Sequence, residues 1–246
     1  MPLFSEEEIF IVTGASSGIG RAVAVKLISE NASVIAIGRN EERLTKLRSE
    51  VLYPQNLYIE AVDLVSQLSD MPSFLKQLKE KYGKFSGIAY CAGAILLKPA
   101  SETTYEESLD LFKINYFVPT MMIKSLLDKR ICIGKGTAAI AVASADAFLR
   151  EKGLSIYSGT KAALQATFAT LAKEVAPRGM RVNTISPSDI KTPMTDNMQS
   201  FREGRELQYP FGYGEPEDVA ELATFLLSKK SKWITGHDYI VDCASF

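Results

Sequence analysis

The sequence predicts a doubly wound α/β fold, a parallel sheet of about seven strands with helices on both faces in three layers. Three observations carry this expectation. Short β-rich runs alternate with longer amphipathic segments along the 246 residues. The β-rich runs are apolar almost without interruption, as strands are when helices cover both faces. No Pro/Gly/Ser-rich linker, repeat or low-complexity tract divides the chain, so 1–246 reads as a single domain.

The elements follow in order. Glu8 to Val12 is a strand that runs into a glycine turn, and Gly18 to Asn31 is a helix. Ser33 to Ile37 is a strand, with a helix over Glu41 to Val51. Leu57 to Ala61 is a strand that leads to Asp63, then a helix covers Gln67 to Tyr82. Phe85 to Tyr90 is a strand, and Thr104 to Lys129 one long helix. Thr137 to Ala143 is a strand and Ser155 to Ala176 a helix. Met180 to Ile185, a helix over Pro216 to Leu227 and a last strand, Asp238 to Val241, complete the pattern. Between the last two strands lies the one long irregular stretch, 187–214, with Met194, Met198, Phe201, Leu207, Tyr209 and Phe211. A long loop at the carboxyl end of a parallel sheet suits a substrate lid, or is an ordinary surface insertion.

Composition excludes several function classes. A formal net charge of -1 gives no basic excess for a nucleic-acid partner. Residues 1–8 are acidic where a signal peptide would be basic and then apolar. The longest apolar stretch, around Ala138 to Leu149, is interrupted by Ser144 and Asp146, so no membrane span is expected. Cys91, Cys132 and Cys243 have no metal-ligand spacing and read as reduced thiols of a cytoplasmic protein, with no metal site. His237 stands alone and cannot form a multi-His metal site by itself.

The turn Thr13-Gly14-Ala15-Ser16-Ser17-Gly18-Ile19-Gly20 lies between a strand and a helix. Glycines let backbone approach a pyrophosphate, and the helix N-terminus offers unpaired N–H groups, so the turn points to dinucleotide binding in a Rossmann-type sheet. At the end of the second strand, an acidic residue would hold the ribose 2′-OH of NAD. This chain has Gly38 and Arg39, and Arg39 suits the 2′-phosphate of NADP, with Ser16 and Ser17 as further donors. The alternative is that Arg39 pairs with Glu41 or Glu42.

Tyr157 and Lys161 are four residues apart on one predicted helix face. A phenol beside an ammonium can serve as a general acid/base, because the positive charge favours phenolate and lowers the tyrosine pKa from about 10. Taken alone, the pair can equally be a surface pair.

Together these motifs, from Glu8 to Asp242, resemble the short-chain dehydrogenases/reductases, and the 3-oxoacyl-(acyl-carrier-protein) reductase-like group most closely. The resemblance implies that Gly14, Gly18 and Gly20 form the phosphate loop, with Ile19 beside the diphosphate. It implies that Asp63 and Leu64 touch the adenine and that Cys91-Ala92-Gly93, in place of Asn-Ala-Gly, lies under the adenine ribose. Asn115 is implied to anchor a proton-relay water through a local helix irregularity, and Ser144 to be the catalytic serine. Pro187-Ser188-Asp189-Ile190-Lys191-Thr192 resembles the Pro-Gly-x-Ile-x-Thr turn against the nicotinamide, so Pro187, Ile190 and Thr192 join the cofactor contacts. Ser188 replaces a glycine there, and Asp242-Cys243-Ala244 replaces Asp-Gly-Gly near the C-terminus. The resemblance implies an NADP-dependent (NAD the weaker alternative) enzyme in which Tyr157 exchanges the proton, Ser144 holds the substrate oxygen and Lys161 holds the ribose. The expected substrate is a small carbonyl or alcohol compound, a 3-oxoacyl compound or another ketone, handled in the reductase direction. A keto-sugar reductase and a non-catalytic NADP-binding regulator or subunit stay open. Arg150, Lys152, Arg202 and Arg205 either steer an anionic substrate or form a solvated face. A homotetramer or homodimer, paired through the 104–129 and 155–176 helices, is also implied.

Overall fold

The computed structural model describes residues 1–126, 128–196 and 204–245. Among these, seven strands form one parallel sheet: β1 (Ile9–Thr13), β2 (Ser33–Gly38), β3 (Leu57–Ala61), β4 (Phe85–Tyr90), β5 (Ala138–Val142), β6 (Arg181–Pro187) and β7 (Asp238–Val241). Their spatial order is β3-β2-β1-β4-β5-β6-β7, with every neighbouring pair parallel.

Alternate side chains leave opposite faces of a strand, which creates two apolar layers. Phe10 and Val12 lie with Val34, Ala36, Ile140 and Val142 beneath α1 (Gly18–Ser29), α2 (Glu41–Lys46) and the helix Pro216–Leu227. Ile11 lies with Ile35, Ile37, Ile88 and Ala141 beneath α3 (Met71–Tyr82) and the helices Val118–Leu126 and Ser155–Val175. Both faces are therefore covered, as the unbroken apolar runs require.

Local chemistry sets several element ends away from the expected ones. β1 extends to Thr13, whose backbone stays in register with Ile37 and Tyr90. β6 extends to Pro187, where Val241 is its partner. The 41–51 helix stops at Lys46 and finishes as a 3₁₀ turn, Leu47–Ser49, and the 67–82 helix is preceded by another, Leu68–Asp70.

The expected 104–129 helix is not continuous. It begins with α4 (Tyr105–Phe112), where the Thr104 hydroxyl accepts from the Glu107 amide at 3.2 Å and Glu107 accepts from the Thr104 amide at 2.8 Å, a reciprocal cap. A π turn, Lys113–Phe117, then leads into α5 (Val118–Leu126). Pro119 has no N–H to give the Asn115 carbonyl four residues back. The Val118 amide instead reaches the Lys113 carbonyl, and the Tyr90 hydroxyl donates to the Ile114 carbonyl at 2.5 Å. The remaining helices are α6 (Asp146–Leu149), absent from the sequence reading, α7 (Ser155–Val175), α8 (Pro193–Asp196) and α9 (Pro216–Leu227). No described helix is long and apolar enough to cross a membrane.

At the opposite end of β6 from Pro187, the buried Arg181 closes the end of α9. Its guanidinium donates to the carbonyls of Leu226 (2.7 Å) and Ser228 (2.9 Å) and to the Ser231 hydroxyl (2.8 Å). These C-terminal carbonyls have no partner within the helix. Arg181→Ala should therefore cost about 3 kcal/mol or more through buried acceptors left unmet. A urea-unfolding midpoint equal to that of the parent would refute this role.

Candidate active site

The strand order reverses between β1 and β4, and open α/β sheets bind ligands in the crevice outside the carboxyl ends at such a point. A cleft of about 770 Å³ lies there. Its floor is fastened by the buried Thr13, whose hydroxyl accepts from the amides of Cys91 (3.1 Å) and Ala92 (3.0 Å).

The glycine turn lines one end. Gly14 has φ +67°, and a Cβ on it would meet the Ala92 amide nitrogen at 2.9 Å. A Cβ on Gly20 would fall 2.5 Å from the Gly14 carbonyl oxygen. Ser17 occupies the N-cap position of α1 without a side-chain capping bond, so the first N–H groups of the helix keep their capacity for an anion. Ser16, Ser17, Gly18 and Ile19 line the cleft here. Exposed Arg39 lines it beyond Gly38. Among the described residues Arg39 has no ion pair with Glu41 or Glu42, and Glu42 pairs with Lys46 at 2.8 Å. The guanidinium is thus available for a phosphate.

Asp63, Leu64, Cys91, Ala92 and Gly93 line the adjoining wall. The Asp63 carboxylate accepts from the Val65 amide at 2.9 Å. Pro187, Ile190 and Thr192 line the side formed by the segment after β6. Thr192 is braced by Thr195, whose hydroxyl accepts from the Thr192 amide at 3.1 Å.

Ser144, Tyr157 and Lys161 converge on the same cleft from the end of β5 and from α7, and all three are buried. Lys161 Nζ donates to the Val142 carbonyl at 2.9 Å and lies 5.7 Å from the centre of the Tyr157 ring. Asn115 does not line the cleft. It is fully buried behind it in the π turn, where Oδ1 accepts from the Ala94 amide (2.9 Å) and Nδ2 donates to the Ala94 carbonyl (2.9 Å) and to Thr160 Oγ1 (3.1 Å). A Cβ on Gly93 would lie 3.1 Å from Asn115 Oδ1 and 3.6 Å from Lys161 Nζ, so this glycine keeps the passage between them open.

A family profile described as enoyl-(acyl carrier protein) reductase matches residues 14–243. A crystal structure of a short-chain dehydrogenase/reductase from Brucella melitensis superposes with a TM-score of 0.91 at 25% identity, covering 100% of this chain and 99% of that one. The chain belongs to the short-chain dehydrogenase/reductase family. Among its relatives in this family, Carbonyl reductase family member 4 of Xenopus laevis is 31% identical over 240 residues, 96% of each protein. The NADP-dependent (R)-specific alcohol dehydrogenase of Lentilactobacillus kefiri is 28% identical over 244 residues, 96% of this chain and 95% of that protein. The 3-oxoacyl-(acyl-carrier-protein) reductase FabG of Thermotoga maritima is 28% identical over 242 residues, 96% and 97% of the two chains. The chain is thus a short-chain dehydrogenase/reductase oxidoreductase.

The electrostatics of this cleft correct one expectation. Burial pushes the Tyr157 phenol well above the usual tyrosine range; the Ser144 hydrogen bond opposes the shift and nearby Asp146 adds to it. Lys161, whose ammonium donates to the Val142 carbonyl, does not outweigh that burial. Burial pulls Lys161 down to about 8, opposed by Cys91, and pushes the Cys91 thiol up to about 12.

Sequence reasoning missed Thr13, Asp146, Asp189 and Thr160 as parts of this site. Asp146 and Asp189 line the cleft with Arg205, and Arg205 pairs with Glu151 at 3.3 Å and Asp189 at 4.0 Å. Arg150 and Lys152 are exposed. The positions Met198, Phe201 and Arg202 of the expected lid lie outside the described residues. Ser188, which replaces a glycine of the family turn, stays out of the left-handed region and places its hydroxyl 2.9 Å from the Tyr209 hydroxyl.

The lowered Lys161 pKa has a consequence for stability. Between about 8 and 10.5 the unfolded chain holds more protons at this lysine than the folded one, so its contribution to stability rises with pH across that window. Lys161→Met should therefore stabilise the protein at pH 7, and the gain should shrink as the pH climbs toward 10.5. Urea unfolding of both proteins at pH 7 and pH 10 measures this, and a gain that grows with pH would contradict it.

Proposed function

We propose that this short-chain dehydrogenase/reductase moves hydride between NADP(H) and a carbonyl or alcohol substrate, working as a reductase on a 3-oxoacyl compound or another ketone. The observation that carries this reading is the convergence of Ser144, Tyr157 and Lys161 on the cleft that also holds the glycine turn. The residues fit a dinucleotide: Gly14 and Gly20 form a cradle that a Cβ would fill, and α1 presents uncapped amides. Arg39 fits the extra phosphate of NADP, and the NADP-dependent alcohol dehydrogenase of Lentilactobacillus kefiri, a relative of this chain, supports the same choice.

Bound nicotinamide supplies the hydride. Tyr157 donates its phenolic proton to the carbonyl oxygen, and Ser144 donates a hydrogen bond to the same atom as negative charge develops there. Lys161 holds the ribose hydroxyls and passes protons past Gly93 toward a water that Asn115 anchors. Burial suits Tyr157 for this role because it keeps the phenol protonated until a substrate oxygen gains charge. Residues 187–214 act as the substrate lid, with Met194 and Arg205 facing the cleft. The subunits pair through α4, α5 and α7 as a dimer or tetramer.

A second reading, a keto-sugar reductase, is favoured by Asp146 and Asp189, whose carboxylates can accept from substrate hydroxyls. Comparison of kcat/KM for 3-oxoacyl thioesters and for polyhydroxy ketones separates the two.

Tyr157→Phe should lower kcat by about 10²–10⁴-fold while NADPH binding stays measurable. Retained parental turnover would sink the assignment, and NADPH binding by the parent without turnover of any carbonyl or alcohol would favour a regulator. Arg39→Ala should weaken NADPH binding by about 10–100-fold, the worth of hydrogen bonds to a charged group, and leave NADH binding unchanged. Equal losses for both nucleotides by calorimetry would remove Arg39 from cofactor choice.

A further inference from the structure

Ser144 has one hydroxyl proton, and the reading above needs that proton on the substrate oxygen. In the structure the hydroxyl also meets Asp146, beside its contact with Tyr157. Ser144 Oγ donates to Asp146 Oδ2 at 3.3 Å and accepts from the Asp146 amide at 3.1 Å. Asp146 opens α6, lines the cleft and is partly buried. We propose that Asp146 is a positioning residue, whose carboxylate competes with the substrate oxygen for the Ser144 proton and so sets how fully Ser144 serves the reaction at Tyr157.

The surroundings make that competition dependent on protonation. Asp189 and Arg205, both from the segment after β6, face Asp146, with Glu151 beyond α6 and Tyr157 on α7. Arg205 is shared between Glu151 and Asp189, and Tyr209 donates to Asp189 at 2.8 Å. Two carboxylates thus hold one guanidinium, and Asp146 lines the same cleft beside Ser144. Burial first, and then the charges of Asp189 and Glu151, push Asp146 up to about 6, while Ser144 and Arg205 oppose the shift. Ionised Asp146 accepts the Ser144 proton. Protonated Asp146 is itself a donor, and its O–H can turn to Ser144 Oγ while the serine proton goes to the substrate oxygen. At 3.3 Å the Ser144–Asp146 bond is at the long end for two oxygens, so a carbonyl oxygen gaining charge can displace it.

The proposal rests on the reductase reading for its catalytic consequence, and on Ser144 and Asp146 alone for its proton linkage. Two measurements keep these apart. The first is an NMR titration of the full chain labelled at aspartate ¹³Cγ, with the Asp146 signal assigned by its loss in Asp146→Asn. The expected inflection lies near 6. It should move upward in Ser144→Ala, which removes a bond to the ionised form, and return in Ser144→Thr, which keeps the hydroxyl. An inflection below about 4.5, close to that of a free carboxyl, overturns the proposal. So does one that Ser144→Ala leaves in place.

The second measurement is the pH profile of carbonyl reduction. In the parent, kcat should fall about tenfold as the pH rises through this inflection, less than loss of a whole oxyanion donor, with KM little changed. Asp146→Asn should flatten that step. A flat parental profile overturns the proposal while leaving the reductase reading intact. The expected NMR behaviour without turnover of any carbonyl upholds the Ser144–Asp146 linkage and overturns the reductase reading instead.

Discussion

One hydroxyl, that of Thr13, fixes the geometry on which the cleft depends. β1 and β4 are neighbours at the point where the strand order reverses, and past Tyr90 the chain leaves the ladder. The amides of Cys91 and Ala92 would then be part-buried donors without partners, which is costly. Thr13 accepts both. That draws the backbone after β4 against the glycine turn so closely that Gly14 has no room for a side chain. The phosphate end of the cleft and the wall from Cys91 to Gly93 are thereby one rigid piece. The same wall continues to Ala94, whose amide and carbonyl both bond to Asn115. A single side chain at the end of β1 thus aligns the glycine turn with the π turn.

The second organising force is desolvation. Ser144, Tyr157 and Lys161 are buried at the carboxyl end of the sheet, with Tyr157 packed against Leu111 and Leu154, and their surroundings disfavour charge on the titratable groups among them. Tyr157 is held neutral, Lys161 is pulled toward neutrality, and Asp146 is pulled the same way. In such surroundings one or two hydrogen bonds weigh heavily on each proton position, because a low local dielectric strengthens them. The Val142 carbonyl restrains Lys161, and Asp146 restrains Ser144. Stability elsewhere offsets the cost of burying these groups. Arg181, at the start of β6, is also buried but spends its charge on the carbonyls that end α9.

Much of this was legible in the sequence, and the parts that were not share a cause. The strands could be read because helices on both faces demand continuous apolar runs. Tyr157 and Lys161 could be paired because helix periodicity alone places them on one face. The direction of the Tyr157 shift could not be read, since it depends on how much water tertiary packing removes. Thr13 was read only as the start of the turn, because a polar residue after an apolar run gives no sign of what its hydroxyl will meet across the sheet. Asp146 was read only as a break in an apolar stretch. The π turn did leave a signal, Pro119, which removes the hydrogen bond that the Asn115 carbonyl would accept in a regular helix.

The departures from the family pattern show where the fold tolerates a lost glycine. At Ser188 the backbone does not require left-handed φ, so the side chain carries no strain and its hydroxyl instead meets Tyr209. Cys243 and Ala244 differ, since they have φ of 58° and 56° and replace two glycines. Left-handed backbone costs roughly 1–2 kcal/mol for a residue with a Cβ, so something must hold this tail in place. The Asp242 carboxylate accepts from the amides of Ala244 (3.2 Å) and Ser245 (3.0 Å). Cys243 Sγ accepts from the Phe211 amide at 3.2 Å, and Ser245 Oγ donates to Ser188 Oγ at 3.5 Å. These bonds run from the tail to Phe211 and to Ser188 in the turn after β6, so the strained residues are held by contacts outside the tail itself. Left-handed backbone without glycine is thus accommodated at Cys243 and Ala244 by the hydrogen bonds of Asp242, Phe211 and Ser188 that fix the tail.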